Sequence, residues 1–206
     1  MAKEKQLVLY GEYNMKRLVF ILFVYVTKIV PAEITPTTLK HSIIIVMGSS
    51  CSGKSSIAAQ LQRLLRTDKA SWRVVDFDEV GESLENVVSA TQKLLETECN
   101  VIIDTNTYED WVEQTLSLRA IVFKVRIYAP LEILLERDAQ RTKKHNRTEE
   151  RAFWARDFVI KSDKDSKQWK TDIQVSTDTG IQDKKESILI CCNQIVSAFF
   201  NKGFLC

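Results

Sequence analysis

The sequence predicts an α/β fold in which helices cover a parallel sheet. Short runs rich in Val and Ile alternate along the chain with longer segments whose apolar residues recur at helical spacing. The first run, "SIIIVMG" at residues 42–48, is apolar at most positions, as expected for a central strand buried on both faces. Strands that alternate with helices form parallel βαβ units. We therefore expect a three-layer fold around one five-stranded parallel sheet, with the strand order 2-3-1-4-5.

The other four strands are predicted from apolar runs that lie between polar turns. Residues 72–78 and 100–106 form the second and third runs, and residues 171–177 form the fifth. The fourth run covers residues 120–130 and ends at Pro130. Proline ends a strand because it has no N–H to donate to a ladder hydrogen bond.

Six helices are predicted between and after these strands. The first carries a stripe of apolar residues that includes Ile57, Leu61 and Leu65, which lie on one helical face. The fourth and fifth are amphipathic and rich in charge. The six segments are residues 55–66, 84–95, 111–118, 131–142, 149–160 and 184–200.

The totals fit one domain with an additional N-terminal segment. The chain has 206 residues and a net charge of +2, which is too small to indicate a nucleic-acid-binding protein. The oligomeric state stays open. Five cysteines (Cys51, Cys99, Cys191, Cys192 and Cys206) show no metal-binding spacing. Their odd number argues against a disulfide framework, so we expect free thiols.

The first 40 residues differ in character from the rest. Residues 15–32 combine a basic start, an apolar run at residues 18–26 and a small residue, Ala32. This layout is typical of a secretory signal peptide or an anchor, although the run is too short for a membrane span. An ordinary N-terminal helix and an alternative start at Met15 remain open. We expect a linker to follow, the folded domain to occupy residues 41–206, and any membrane contact to involve only the N-terminal segment.

A phosphate-binding loop is predicted where the first strand meets the first helix. Residues 48–55 match the P-loop pattern G-x-x-x-x-G-K-S/T completely. In this pattern backbone N–H groups and the helix N-terminus surround phosphate oxygens, the lysine reaches the β- and γ-phosphates, and the serine hydroxyl binds Mg²⁺. Cys51 is either a small residue of the loop or a thiol under oxidative control. The expected nucleotide-binding residues are Gly48, Ser49, Ser50, Cys51, Ser52, Gly53, Lys54, Ser55 and Ser56.

Two carboxylates, Asp104 and Asp78, lie at the ends of predicted strands, at the edge where open α/β sheets gather their ligands. Asp104 is a candidate Mg²⁺ ligand together with Ser55, or a helix cap. Asp78 is the candidate base that accepts the proton of an acceptor hydroxyl. Asp76 is its rival, because strand alternation would place both on one side. For either residue the alternative is a helix cap.

A basic segment follows the fourth strand. Arg137 and Arg141 are four residues apart and therefore share one helical face. We expect them to contact the γ-phosphate from a helical lid that closes over ATP and excludes water. The alternative is a solvated face whose charges pair with Glu132, Glu136 and Asp138. Further positive charges in the cluster are Lys143, Lys144 and Arg147.

Taken together, these motifs resemble the small P-loop kinases, and most closely the chloramphenicol phosphotransferase-like family. The resemblance rests on "VMGSSCSGKSS", "FDEVGESL", "VRIYAPLEILLERDAQR" and "TDIQVSTDT", and it covers about residues 42–200. It implies a Mg²⁺- and ATP-dependent phosphotransferase that acts on a hydroxyl of a small molecule. It also places the catalytic aspartate at Asp78 and the lid arginines at Arg137 and Arg141. Such an enzyme requires a compartment that contains ATP.

Two other functions remain open at this point. The N-terminal segment keeps a resemblance to zeta-toxin kinases, which phosphorylate nucleotide sugars, under consideration. A non-catalytic ATP-binding regulatory module would also use the P-loop. A GTPase is disfavoured, because the guanine-recognition sequence Asn/Thr-Lys-x-Asp is absent.

Overall fold

The computed structural model describes residues 41–68 and 70–203. The predictions for residues 15–32, for the linker and for Cys206 lie outside the described residues. Within the described part of the chain, no helix is both long and apolar enough to cross a lipid bilayer. The four cysteines of that part are all free thiols, as predicted, and Cys191 and Cys192 are buried.

The sheet has the five parallel strands and the order that the sequence predicts. The strands are β1 Ser42–Met47, β2 Trp72–Asp76, β3 Asn100–Thr105, β4 Ile121–Tyr128 and β5 Ile173–Ser176. Neighbouring strands follow one another as β2-β3-β1-β4-β5. In the register of this sheet Asp104, near the end of β3, lies beside Asp76 at the end of β2.

All six predicted helices are present. Capping side chains fix the starts of three of them, because Ser83, Thr148 and Asp183 each accept a hydrogen bond from a backbone N–H of the first turn. The helices are α1 Lys54–Leu65, α2 Leu84–Glu96, α3 Asp110–Leu116, α4 Leu131–Lys144, α5 Glu149–Ser166 and α6 Lys184–Asn201.

Alternation along β1 produces the three layers. Ile44 and Val46 point to one face of the sheet, where they join the core formed with α1 and α6. Ile43 and Ile45 point to the other face and join the core formed with α2 and α3. Because both faces are covered, β1 is fully buried, and it is apolar from Ile43 to Met47. Helices α4 and α5 contribute to a third, smaller cluster around Leu134 and Val159.

The bounds of several elements differ from the predictions, and two of these differences have a clear structural reason. The second strand ends at Asp76 and not at Asp78, because the Asp76 side chain accepts a hydrogen bond from the Asp78 N–H at 2.9 Å and turns the chain. Strand alternation therefore does not relate these two aspartates. Helix α5 continues to Ser166, six residues beyond the predicted end. Its last turns are buried through polar side chains, including Ser162 and Asp163, so no apolar repeat marks them.

Candidate active site

The P-loop connects β1 to α1, and its shape depends on two glycines. A Cβ on Gly48 would lie 2.1 Å from the carbonyl oxygen of Ile127, so only glycine lets the loop pass this close to β4. Gly53 has a φ of 96° at the residue that precedes α1, in the left-handed region that favours glycine. Cys51 also lies in that region, with a φ of 64°. Such a non-glycine conformation costs energy and is most common at functional sites.

The Lys54 side chain contacts the backbone of the P-loop. Its Nζ donates a hydrogen bond to the carbonyl oxygen of Ser49 at 3.0 Å, and the side chain is buried. Burial lowers the pKa of Lys54, while the nearby Asp104 and Asp78 raise it. The hydroxyls of Ser49 and Ser52 are buried without a hydrogen-bond partner. Buried polar groups without partners are costly, and a phosphate would provide acceptors for both.

Asp104 and Ser55 interact with each other close to Lys54. Burial raises the pKa of Asp104, whose side chain is 4% exposed, while the charge of Lys54 and a hydrogen bond from Ser55 lower it. Among the described residues, no group of three or more His, Cys, Asp and Glu side chains is arranged to hold a metal. Mg²⁺ in kinase sites is typically held by one or two protein oxygens together with phosphate oxygens and water. The Ser55 hydroxyl and the Asp104 carboxylate fit that donor set.

Two cavities open around the P-loop. The P-loop cavity has a volume of about 600 Å³ and contains residues 50–57, together with side chains of α4, α6 and the end of β5. The aromatic cavity has a volume of about 1090 Å³. It lies between the segments that lead from β2 into α2 and from β3 into α3 on one side, and helices α4 and α5 on the other. It takes its name from Phe77, Tyr108, Trp111, Phe158 and Trp169.

Four residues line both cavities: Ser50, Asp78, Asn106 and Arg141. Asp78 is therefore located where the two spaces meet, whereas Asp76 lines neither and bonds to the Asp78 N–H. The sequence left these two aspartates as rivals, and this placement favours Asp78 as the residue that could act on a molecule in either cavity. Asp76 forms the turn that holds Asp78 in place.

The two arginines of α4 differ in their surroundings. Arg137 donates to the Thr177 hydroxyl at 2.8 Å, to the Thr177 carbonyl at 3.1 Å and to the Cys51 carbonyl at 3.3 Å. It therefore ties the P-loop to the end of β5. Arg141 is exposed, and its guanidinium lies 3.7 Å from the Cys51 sulfur. Both line the P-loop cavity, as does Lys144. Arg147, by contrast, forms an ion pair with Asp138 at 2.9 Å.

Three residues of the site were not identified from the sequence. Asn106 lines both cavities. Its position after β3, in "VIIDTN", is the signal that would have indicated it. The Thr177 hydroxyl donates to the carbonyl oxygen of Ser52 at 2.9 Å. Ser162 of α5 accepts a hydrogen bond from the Ser50 N–H at 3.1 Å. Neither contact has a sequence signal, because the partners lie more than 100 residues apart.

No protein-family profile matches this chain, and no curated protein matches it. Solved structures do match it. The APS kinase of Mycobacterium tuberculosis, in complex with AMPPNP and APS, is 17% identical with a TM-score of 0.54, over 77% of this chain and 97% of that one. A gluconokinase from Sinorhizobium meliloti is 13% identical with a TM-score of 0.51, over 80% and 98% of the two chains. A sugar kinase from Janibacter sp. is 15% identical with a TM-score of 0.52, over 75% and 94%. The chain therefore has the fold of the P-loop kinases.

Proposed function

We propose that this chain is a kinase that transfers the γ-phosphate of ATP to a hydroxyl group of a small molecule. The observation that carries the proposal is the meeting of two cavities at Asp78. One cavity is formed around a phosphate-binding loop, and the other has the volume of a small-molecule site. A binding module that only held ATP would have no need of the second cavity.

The proposed roles follow from these positions. The backbone N–H groups of the P-loop and Lys54 hold the phosphates, and Ser55 and Asp104 would hold Mg²⁺. The metal, when bound, supplies positive charge that stabilises the phosphate oxygens during transfer. Asp78 accepts the proton of the acceptor hydroxyl as its oxygen bonds to the γ-phosphorus, and the bond from that phosphorus to the ADP oxygen breaks. Arg141 stabilises the charge that develops on the transferred group.

Within this class we propose the chloramphenicol phosphotransferase-like family as the most similar branch. The support is the set of sequence motifs around the P-loop, Asp78 and the two α4 arginines, together with an acceptor-sized cavity walled by aromatic side chains. Aromatic walls suit an acceptor with a flat apolar face. The acceptor itself is a matter for experiment.

The test is acceptor-dependent ADP release by the full chain. Mg-ATP would be supplied with a panel of hydroxylated compounds that includes amphenicols, nucleosides, sugars and nucleotide sugars. We expect one class to stimulate ADP release and to be recovered as a phosphate monoester. Asp78→Asn should abolish the stimulation while leaving ATP binding intact. Asp157→Asn, which changes an exposed aspartate of α5 that lines neither cavity, is the matched control.

Each outcome distinguishes the candidates. Stimulation by nucleotide sugars alone would favour the zeta-toxin-like alternative. ATP binding that depends on Lys54, without stimulation by any acceptor, would favour the regulatory module. Stimulation that survives Asp78→Asn would leave the kinase in place and assign the base to another residue, with Asp76 or Asp104 as the next candidate.

A further inference from the structure

The side chains that line the aromatic cavity carry more negative than positive charge, and this restricts the chemical class of the acceptor. We propose that the acceptor is a hydroxyl compound that carries a protonated amine next to an aromatic or other flat apolar group. This inference rests on the proposed kinase function, since it assigns the substrate class of that site. It goes beyond the sequence motifs, which indicate ATP and a hydroxyl but say nothing about the charge of the acceptor.

Carboxylates outnumber cations along this cavity. Among the described residues that line it, six are acidic and three are basic. Asp138 and Arg147 neutralise each other in an ion pair of 2.9 Å. Arg141 also lines the P-loop cavity, where phosphate charge would occupy it. Asp78 also lines both cavities. When the ion pair and these two shared residues are set aside, Lys161 is the one cation among the described lining residues, against Glu82, Glu85, Glu109 and Asp165.

Hydrogen bonds from neighbouring side chains orient two of these carboxylates without using all of their acceptor positions. Glu109 accepts a hydrogen bond from the Trp111 indole N–H at 2.8 Å, and Glu85 accepts one from the Ser83 hydroxyl. That hydrogen bond lowers the pKa of Glu85 and so keeps the group ionised. An ionised carboxylate has two oxygens with about four acceptor positions. Each group therefore retains acceptor positions for an ammonium.

The aromatic side chains are placed beside these charges. Because Trp111 is hydrogen bonded to Glu109, an indole ring and a carboxylate are adjacent on one wall. Tyr108 is buried and packs against Trp169 with ring centroids 6.3 Å apart, so it adds apolar ring surface to the cavity. Its cation–π contact and its hydroxyl are already used within the protein, by Lys124 at 5.9 Å and by Glu113 at 2.9 Å, so Trp111 and Glu109 supply the ring and the carboxylate for a bound cation. A ring beside a carboxylate attracts an organic cation both through its π face and through direct charge pairing. Neutral or anionic compounds gain only part of this attraction, because they cannot pair with the carboxylate.

The difference in charge between the two cavities disfavours an anionic acceptor. The P-loop cavity, where the triphosphate is expected, has one carboxylate and five cationic side chains among the described residues that line it, namely Lys54, Arg137, Arg141, Lys144 and Lys184. The carboxylates on the acceptor side would repel a second phosphate or carboxylate group. This charge difference also disfavours a nucleotide sugar as acceptor, since its diphosphate would have to bind among the carboxylates.

Three compounds with one skeleton test the inference directly. 2-Amino-1-phenylethanol is cationic, 1-phenylethane-1,2-diol is neutral, and mandelate is anionic, while all three carry a benzylic hydroxyl. Binding to the full chain would be measured by calorimetry in the presence of a non-hydrolysable ATP analogue and Mg²⁺. We expect the amine to bind on the order of tenfold more tightly than the diol, and the diol more tightly than mandelate. The preference should shrink with added salt.

A conservative double variant assigns the effect to named groups. Glu85→Gln with Glu109→Gln removes two charges but keeps an acceptor oxygen for Ser83 and Trp111. The double variant should lose about tenfold in affinity for the amine, with little change for the diol. Glu132→Gln, an exposed carboxylate of α4 that lines neither cavity, should change neither.

The outcomes separate this inference from the kinase proposal. Equal or tighter binding of mandelate, or no binding of the amine up to about 10 mM, overturns the acceptor class. Phosphorylation of an anionic acceptor would overturn it too, yet would leave the kinase in place. Tight binding of the amine, with phosphate transferred to no acceptor in the panel, would support a cationic aromatic compound as the ligand of this cavity while removing the catalytic proposal.

Discussion

The P-loop cavity and the aromatic cavity share four residues, yet they are formed in different ways. The P-loop cavity takes eight of its residues from one continuous segment, residues 50–57, which supplies backbone N–H groups in a fixed arrangement. The aromatic cavity is formed by short pieces of several connections and helices, and it presents side chains. Phosphate recognition therefore depends on backbone geometry, whereas acceptor recognition depends on side-chain identity. The first can be identified by a local motif, and the second cannot.

Charge follows the same division. Cations predominate in the P-loop cavity and carboxylates in the aromatic cavity, although the two are in contact through Asp78 and Arg141. If the division is functional, changes on one side should leave binding on the other side intact. The first of four predictions tests that separation, and the other three test how the P-loop side is formed.

The largest effect is expected for Lys54→Ala. Loss of the lysine removes the buried cation nearest to the phosphates, so phosphate transfer should fall by on the order of 10³-fold. Calorimetry should also show weaker ATP binding. Binding of 2-amino-1-phenylethanol without nucleotide should be unchanged, because Lys54 does not line the aromatic cavity.

Lys143→Ala is the control for charge alone, since Lys143 is exposed on α4 and lines neither cavity. If Lys54→Ala weakened amine binding as strongly as ATP binding, the two cavities would not be separable sites. An equal loss of activity in both lysine variants would show that net charge, rather than the position of Lys54, determines activity.

The second effect concerns the backbone of the P-loop. Gly48→Ala would place a Cβ 2.1 Å from the Ile127 carbonyl oxygen, so β4 or the loop must move. We expect a loss of at least about 2 kcal/mol in the free energy of unfolding, with ATP binding abolished. Gly180→Ala is the matched control: it also has a positive φ, but a Cβ there meets no atom within 4 Å. Urea denaturation of the two variants distinguishes the effect of the close contact from the effect of the positive φ. Equal losses in the free energy of unfolding would contradict the explanation by close contact.

The third prediction separates the two arginines of α4. Arg137→Ala removes three hydrogen bonds to Thr177 and Cys51 and should cost about 1.5–3 kcal/mol of stability. Arg141→Ala should leave the melting temperature almost unchanged, because the side chain is exposed, but should lower kcat. Thermal melts and steady-state rates on both variants are sufficient. A large stability loss in Arg141→Ala, or none in Arg137→Ala, would reverse these roles.

The sequence was informative wherever a structural feature is local. Helix number, strand number and the P-loop follow from periodicity and from one continuous motif, and the structure agrees with them. The predicted strand order is also confirmed, although periodicity alone does not fix it. Packing explains only the central position of β1, whose isoleucines are buried on both faces of the sheet.

The acceptor side could not be derived in the same way. Tyr108 and Trp169 contact each other across 61 residues of chain, and no spacing rule connects them. The turn at Asp76 was missed for a different reason: a side chain bonded to the backbone two residues later ended the strand, although residues 77 and 78 continue its alternating pattern. Long-range contacts and local side-chain–backbone bonds both override periodicity.

The smallest expected effect is a pH dependence of the free energy of unfolding that arises from Asp104. Burial holds the pKa of Asp104 above its ordinary value of 3.8, so the folded state binds a proton more tightly than the unfolded state. The stabilisation from this proton is fully present below pH 3.8 and is lost as the pH rises through the raised pKa. Asp104→Asn removes the titrating group, and each pKa unit corresponds to about 1.4 kcal/mol.

The stability of Asp104→Asn relative to the natural chain should therefore increase as the pH rises from about 4 to 7. Urea denaturation at several pH values measures this difference, and Asp157→Asn, an exposed site, should show no such trend. Parallel curves for Asp104→Asn and the natural chain would show that Asp104 does not titrate abnormally. An increasing difference would mean that this carboxylate is retained at a cost to stability, as expected for a group that is present to bind Mg²⁺ with ATP.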